Sequence, residues 1–377
     1  MPDSKALLPN GFLDRLPDEA EREAAIGSKL QSIFSQFGYR LVNPPLLEFE
    51  ETLLAEGAGQ ALSTNTFRLM DPVSQRMMAL RSDATAQIGR LAASRLNLNQ
   101  RPLRLSYIAD VLRIKPTQLR PERQFRQAGC ELIGENGKKA AVEIALLALK
   151  SLHEAGVKNI SIDFTAPEIL KTIAKNDEKI LAAAYRRDRA AFSTMGQQGK
   201  ILTILDEISG PAAGFANAIK RQRFPSSINS ILIELNDLIK ELQKALKAYG
   251  LDEDVTITVD PLEARGFEYQ SFPCFTLFSK NISGELGRGG SYNSVFGDKS
   301  EKACGFTLYM DTLLRAAPER GKRKSLLVSG STSWLEMRDL QSKGWNVIRA
   351  AEKADKSAAA KYNATHIWKN KKTEEVK

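Results

Sequence analysis

Between Asp18 and Phe37 the apolar residues Ala24, Ile26, Leu30, Ile33, Phe34 and Phe37 recur at helical spacing, behind Pro17 and ahead of Gly38. The pattern predicts an amphipathic helix that starts at the proline–aspartate pair and stops at the glycine. "YRLVNPPLLEFEETLL" then reads as a strand, a Pro-Pro break and a short helix. Pro44 and Pro45 cannot donate to a ladder, so they belong at an edge or a junction. "TFRLMD" and "RMMALR" predict two strands joined by the turn "DPVSQ", and Ser82 is expected to cap a helix through Ala86, Ile88, Leu91 and Ala92. "RLSYIADVLRI" and "RQFRQAGCELIG" predict two further strands, and the polar loop "KPTQLRPE" between them suggests antiparallel pairing.

The second of these strands has two unlike faces. Alternate residues of a strand point the same way, so Gln127, Gly129 and Glu131 share one side while Ala128, Cys130 and Leu132 share the other. An amide, a gap and a carboxylate in a row fit a solvated face, common in antiparallel sheets, or the floor of a site.

Downstream, from about Pro167 to Tyr249, "ILKTIAKNDEKILAAAY" and "SILIELNDLIKELQKALKAYG" turn the pattern helical, as an inserted unit at about 167–250. Strand character returns in "VTITVD", "FPCFTLFSK", "ISGELGRGGSYNSVFG" and "ACGFTLYMDTLLRAA". Gly284 to Tyr292 fits a mobile loop or plain structure. After the basic linker "RGKRKS", "SLLVSG", "TSWLEMRDLQSKG" and "WNVIRAA" predict one strand–helix–strand module. The expected fold class is therefore α+β. A mixed, mostly antiparallel sheet flanked by helices spans 1–320, and a truncated α/β segment spans 321–377.

Composition changes this picture little. Hydrophobic residues are 42% of the 377 and charged residues 26%, ordinary for a globular chain. No apolar run is long enough for a transmembrane helix and the N-terminus does not read as a signal peptide, so a cytoplasmic location is expected. Cys130, Cys274 and Cys304 are far apart and form no CxxC, which argues against a disulfide framework or a zinc site; no metal or cofactor is expected. His153 and His366 are the only histidines, one late in a helix and one in the basic tail, and nothing pairs either with a nucleophile. The net charge of +9 is concentrated in "RGKRKS" and "WKNKKTEEVK", which read as linker and tail without interleaved aromatic residues. It permits a nucleic-acid partner without pointing to one.

Four groups of polar residues punctuate the strands: Asp83 with Thr85 at a helix start, Arg113 at a strand end, the Gln127/Glu131 row, and "EARGFEY" at 263–269. Singly, each also suits a plain role, Asp83 and Thr85 as partners of helix N-terminal amides and Arg113 as a surface charge. Together they resemble the class II aminoacyl-tRNA synthetase core, in its histidyl branch. "LPNGFLDRLPDEA" resembles that family's opening segment and "FGYRLVNPPLLEFEETL" its motif 1, the dimer-forming element. "ALRSDATAQIGR" is similar to its amino-acid-binding loop, "LRIKPTQLRPERQFRQAGCELIG" to motif 2, and "EARGFEYQSF" to its histidine-specific Arg-Gly segment.

The resemblance implies a histidine pocket. Asp83 and Thr85 would receive the ligand's ammonium group, with Gln127 in support. Glu131 would accept from the imidazole, Gly129 would leave room for the ring, and Arg113 and Arg265 would sit near the carboxylate. Tyr269 and Tyr292 match pocket tyrosines, while Gln270 stands where the family has a second tyrosine and Ser291 where it has an arginine. On the ATP side Lys115 reverses an acidic position and Thr312 replaces the motif 3 arginine. Adenylate chemistry is expected to be lost, and no catalytic residue is assigned. A chain that keeps the amino-acid pocket without the ATP chemistry resembles the regulatory subunits of ATP phosphoribosyltransferase, which serve the first step of histidine biosynthesis. That resemblance implies a short-form catalytic subunit as partner, self-association as a dimer, L-histidine as effector and no tRNA or membrane partner. The alternatives are an active histidine–tRNA ligase and an RNA-binding relic of one.

Overall fold

The computed structural model describes residues 7–55, 57–116, 120–267, 269–319 and 324–376. Part of the "KPTQLRPE" loop and most of the "RGKRKS" linker lie outside them. The chain divides into two compact units, Met1–Pro318 and Glu319–Lys377.

The first unit begins with α1 (Pro17–Gln36), β1 (Arg40–Leu41), β2 (Leu47–Phe49) and the short helices α2 (Glu50–Leu53) and α3 (Ala58–Ala61). The hairpin β3 (Arg68–Met70) and β4 (Met77–Leu80) leads into α4 (Thr85–Ser94). Then come β5 (Leu103–Leu112), β6 (Gln124–Ile133), α5 (Lys138–Glu154) and β7 (Ile160–Thr165). The helical insertion holds α6 (Pro167–Ala174), α7 (Glu178–Arg186), α8 (Arg189–Thr194), α9 (Gly196–Ile208), the two-residue β8 (Gly210–Pro211), α10 (Phe215–Arg221) and α11 (Ser226–Ala248). The chain returns through β9 (Val255–Val259), β10 (Gln270–Ser279), β11 (Gly287–Phe296) and β12 (Lys299–Tyr309) to α12 (Met310–Ala316).

Nine of these strands form one sheet in the order β1-β5-β6-β12-β11-β10-β7-β9-β8. Its pairs are antiparallel except β1–β5 and β7–β9, the mixed, mostly antiparallel α+β arrangement expected. One face is apolar because alternation makes it so: Ala128, Cys130 and Leu132 of β6, Phe306 and Leu308 of β12, and Phe275 and Leu277 of β10 join one buried cluster. Leu30 and Phe34 of α1 and Ile144 and Leu147 of α5 cover that face, and Leu232 and Leu235 of α11, packed on α5, join the same cluster. The opposite face carries the polar row and is where the candidate site lies. Gly284–Tyr292 is largely the start of β11, in the middle of the sheet.

The predicted cap at Ser82 is corrected. The helix starts at Thr85, and Ser82 Oγ instead pairs with Thr66 Oγ1 at 2.9 Å. The strand β7 escaped the sequence reading, although "ISIDFT" alternates, because it sits between two strong helical patterns.

The second unit contains β13 (Ser325–Val328), α13 (Trp334–Ser342), β14 (Asn346–Arg349), α14 (Lys356–Lys361), β15 (His366–Lys369) and β16 (Lys372–Glu375). Its sheet has the order β14-β13-β15-β16, so the expected two strands and one helix become four strands and two helices. The basic "KNKK" is a hairpin turn and not a tail. Asn370 and Lys371 take positive φ of 49° and 59°, the paired left-handed geometry that two-residue hairpin loops use. His366 accordingly lies on a strand, its ring 4.8 Å from that of Trp345. No helix among the described residues is long and apolar enough to cross a membrane.

Candidate functional site

The polar row of β6 meets the start of α4. The helix is carried to the sheet by "PPLLE": Arg81 donates to the Pro44 carbonyl at 3.0 Å and Gln87 to the Pro45 carbonyl at 2.8 Å. The two prolines cannot donate, yet their carbonyls accept, so the break in the chain becomes an anchor for α4. Glu48 completes the anchor through Gln87 and a bidentate contact to Arg90.

Two polar side chains of β6, Gln127 and Glu131, are matched to residues at that helix start. Gln127 donates to Asp83 Oδ2 at 2.8 Å, and its Oε1 accepts the Ala84 N–H at 3.2 Å. Thr85 donates its own N–H to Asp83 Oδ1 at 2.9 Å and its hydroxyl to Glu131 Oε1 at 3.0 Å. The second Glu131 oxygen accepts from the Tyr292 hydroxyl at 2.7 Å. Glu131 is only 1% exposed, and its carboxylate stands over Gly305, where any Cβ would collide with Oε2. Burial pushes the Glu131 carboxyl up to about 8, against the hydrogen bonds from Tyr292 and Thr85 that favour its ionised form.

Three phenols line this pair of acids. Tyr292 meets Tyr269 edge to face, centroids 5.9 Å apart. Burial first, then the charge of Glu131, raises the Tyr292 and Tyr107 phenols, so they stay protonated and act as donors. Tyr107 was missed in the sequence, although it is directly opposite Gly129 in the β5–β6 register and bonds Thr307 Oγ1 at 2.7 Å. This corrects the role given to Gly129. A side chain there would collide with the Tyr107 phenol and the Phe306 carbonyl, so the gap is already filled from within and holds no ligand ring.

Open space lies elsewhere. A narrow crevice of about 20 Å³, room for little more than one water molecule, runs beside Thr85 and Tyr292, lined also by Leu53, Ala58, Gly89 and Val295. Gln270 lies opposite Tyr292 in the β10–β11 register, and its buried Oε1 has no hydrogen-bond partner among the described residues.

The arginines divide. Arg113 donates to the Ser82 carbonyl at 3.3 Å, with its guanidinium 5.0 Å from the Phe125 centroid, next to the Asp83 segment. Arg265 is turned outward: it bonds Glu263 through Nε at 3.0 Å and Nη2 at 2.6 Å, and lies 5.5 Å from the Tyr185 ring. On the side where the resemblance would put a nucleotide, the Lys115 side chain is exposed, and its N–H donates to Asn65 Oδ1 at 2.7 Å. Thr312 is buried beneath Arg120, whose guanidinium pairs with Asp311 at 3.0 Å and lies 3.8 Å from the Tyr309 centroid. The space around Thr312 is thus occupied by the chain's own ion pair.

Comparison with known proteins agrees with this geometry. Residues 11–313 match the family model described as histidyl-tRNA synthetase. The chain is 42% identical to an ATP phosphoribosyltransferase regulatory subunit of Rhodospirillum centenum, over 99% of this chain and 97% of the relative. It is 40% identical to the protein of the same name from Paramagnetospirillum magneticum, over 95% and 94%. Among solved structures, a Bacillus halodurans protein described as an ATP phosphoribosyltransferase regulatory subunit/histidyl-tRNA synthetase superposes with a TM-score of 0.78 at 23% identity, covering 97% of this chain and 98% of that one. A histidyl-tRNA synthetase from a Nostoc species gives 0.73 at 18%, covering 96% and 90%. At those identities the two structures speak for the fold alone.

Proposed function

Because this chain belongs to the family of ATP phosphoribosyltransferase regulatory subunits, with a histidyl-tRNA-synthetase-like fold, we propose that it senses L-histidine through the Asp83–Glu131 pocket and passes the signal to a short-form catalytic subunit. The observation that carries the reading is Glu131, buried beside Asp83, the two acids having only hydroxyl, amide and backbone N–H partners among the described residues. A buried carboxylate without a counter-ion is costly unless something brings the charge. Histidine carries an ammonium group for Asp83 and a ring N–H for Glu131. The unpartnered Gln270 Oε1 offers a further acceptor to the ring, and Arg113 a cation to the carboxylate.

Regulation then follows from linkage. If one conformation binds histidine better, the ligand shifts the complex toward it by that difference, and a coupling of roughly 1–3 kcal/mol changes activity or partner affinity about 5–150-fold. The proposed assembly is built on a dimer of this chain, and neither tRNA nor a membrane takes part. Lys115 and Thr312, with the Arg120–Asp311 pair filling the space beside Thr312, support the loss of adenylate chemistry. The test mixes this chain with the short catalytic subunit and measures phosphoribosyl transfer with and without histidine. No dependence on the chain, or none on histidine, refutes the reading. Histidine-dependent exchange of pyrophosphate into ATP by the isolated chain would establish the ligase alternative instead.

A further inference from the structure

The helical insertion begins where one strand of the sheet stops. β7 pairs with β10 from Ser279 back to Cys274, which is opposite Thr165, and the chain then turns at Ala166 and Pro167 into α6. β10 extends past that neighbour: among the described residues Gln270 and Ser271 pair with β11 alone, and the register shifts between Ser271 and Cys274. In the irregular stretch Pro273 has no N–H to donate, and the Phe272 N–H finds its acceptor in a side chain. Both oxygens of Glu168, in the first turn of α6, accept it at 2.9 Å. The carboxylate stands in for the strand carbonyl that the turn into α6 takes away, and a helix N-terminus suits its charge.

Shortly before Phe272 comes Tyr269, one of the phenols around the two acids. Its ring meets that of Tyr292 edge to face at 5.9 Å, and Tyr292 donates to Glu131. Burial first, then the charges of Asp83 and Glu131, raise the Tyr269 phenol, so this side chain stands within the field of both acids. On the far side, α6 is bound into the insertion. Ile169, Leu170 and Ile173 are buried in the main core, and Gln198 of α9 donates to the Ile173 carbonyl at 2.7 Å. The short run from Tyr269 to Phe272 thus has the pocket at one end and the insertion at the other.

We infer that Glu168 is a positioning residue: through the Phe272 amide it sets the place of Tyr269, and so ties the phenol wall of the pocket to the helical insertion. The inference rests on the pocket being an amino-acid site, as proposed above, and adds which part of the fold responds when the site fills. A ligand that changes the hydrogen bonding of Glu131 and Tyr292 changes what Tyr269 packs against. The displacement passes along the start of β10 to Glu168 and α6. The insertion then differs between the empty and filled states, which gives a partner subunit a surface by which to distinguish them.

The test combines calorimetry with L-histidine and amide hydrogen exchange on the full chain. Glu168→Ala should weaken histidine binding at least about 2-fold more in the wild-type background than in Tyr269→Phe, the lower bound for groups that share one network. Glu168→Gln keeps an acceptor for the Phe272 amide and should bind histidine within about 2-fold of wild type. Histidine added to wild type should slow exchange in α6 as well as in β10, whereas in Glu168→Ala only β10 should respond. A purely structural role gives additive losses in the double mutant, and that result overturns the inference while the histidine pocket stands. So does a Glu168→Gln chain as impaired as Glu168→Ala, or an α6 that ignores histidine in wild type, a measurement that needs no variant to fold. A wild-type chain that binds no histidine removes the pocket reading itself and this inference with it.

Discussion

The buried acid at the centre of the pocket should cost the ligand-free protein stability, and the cost should depend on pH with a definite sign. Burial, as the largest influence, raises the Glu131 carboxyl from 4.5 to about 8, so between these values the folded chain holds a proton that the unfolded chain has released. The folded state binds more protons there, and stability falls as pH rises through that window, at up to 1.36 kcal/mol per pH unit from this group. Over the full interval the penalty is on the order of 4–5 kcal/mol, complete above about pH 8 and absent below about pH 4.5. Glu131→Gln keeps the shape and an acceptor for Thr85 but has no proton to lose. The variant should match wild type near pH 5 and be more stable by several kcal/mol at pH 8.5, while binding histidine weakly or not at all. Denaturant unfolding of both proteins between pH 4.5 and 9, followed by fluorescence and circular dichroism, measures the difference directly. A gap between the two proteins that stays constant across that range refutes the account of Glu131 as an uncompensated buried acid.

Other outcomes follow from neighbouring contacts. Tyr292→Phe removes a donor to Glu131, and calorimetry at about pH 8.5, where that carboxyl is largely ionised, should show histidine binding weakened by about one to two decades, the usual worth of a hydrogen bond to a charged group. Gly129→Ala would drive a methyl group into the Phe306 carbonyl and the Tyr107 phenol; since backbone cannot yield, denaturation should show a loss of roughly 1–3 kcal/mol. Arg120→Ala strands the buried Asp311 carboxylate and should destabilise the chain by about 3–5 kcal/mol without opening ATP–pyrophosphate exchange activity, both measurable on one preparation.

The parts of the site legible in the sequence are those that alternation fixes. Gln127 and Glu131 lie two strides apart on one strand, and the motif order brought Asp83, Thr85 and Tyr292 to them; the structure places all five in one hydrogen-bonded group. What could not be read was set by register and local competition. Tyr107 fills the space at Gly129 only because β5 and β6 pair residue 107 with 129, and no spacing in the chain announces that number. Arg265 was expected at the ligand's carboxylate, yet the charge that claims it is only two residues back, and sequence alone does not weigh a near partner against a far one. In the second unit, the charge run "KNKK" masked a hairpin because lysines in a turn and lysines in a tail look alike until two positive φ angles distinguish them.

The matching of β6 to the start of α4 also bears on how such a pocket can change over time. Gln127 answers Asp83 and Ala84, and Glu131 answers Thr85, so neither element can be altered alone without stranding a buried polar group on the other. Substitutions here should be tolerated as pairs, one on the strand and one on the helix, and resisted singly. A lineage drifting toward another ligand would therefore cross a barrier at each pair.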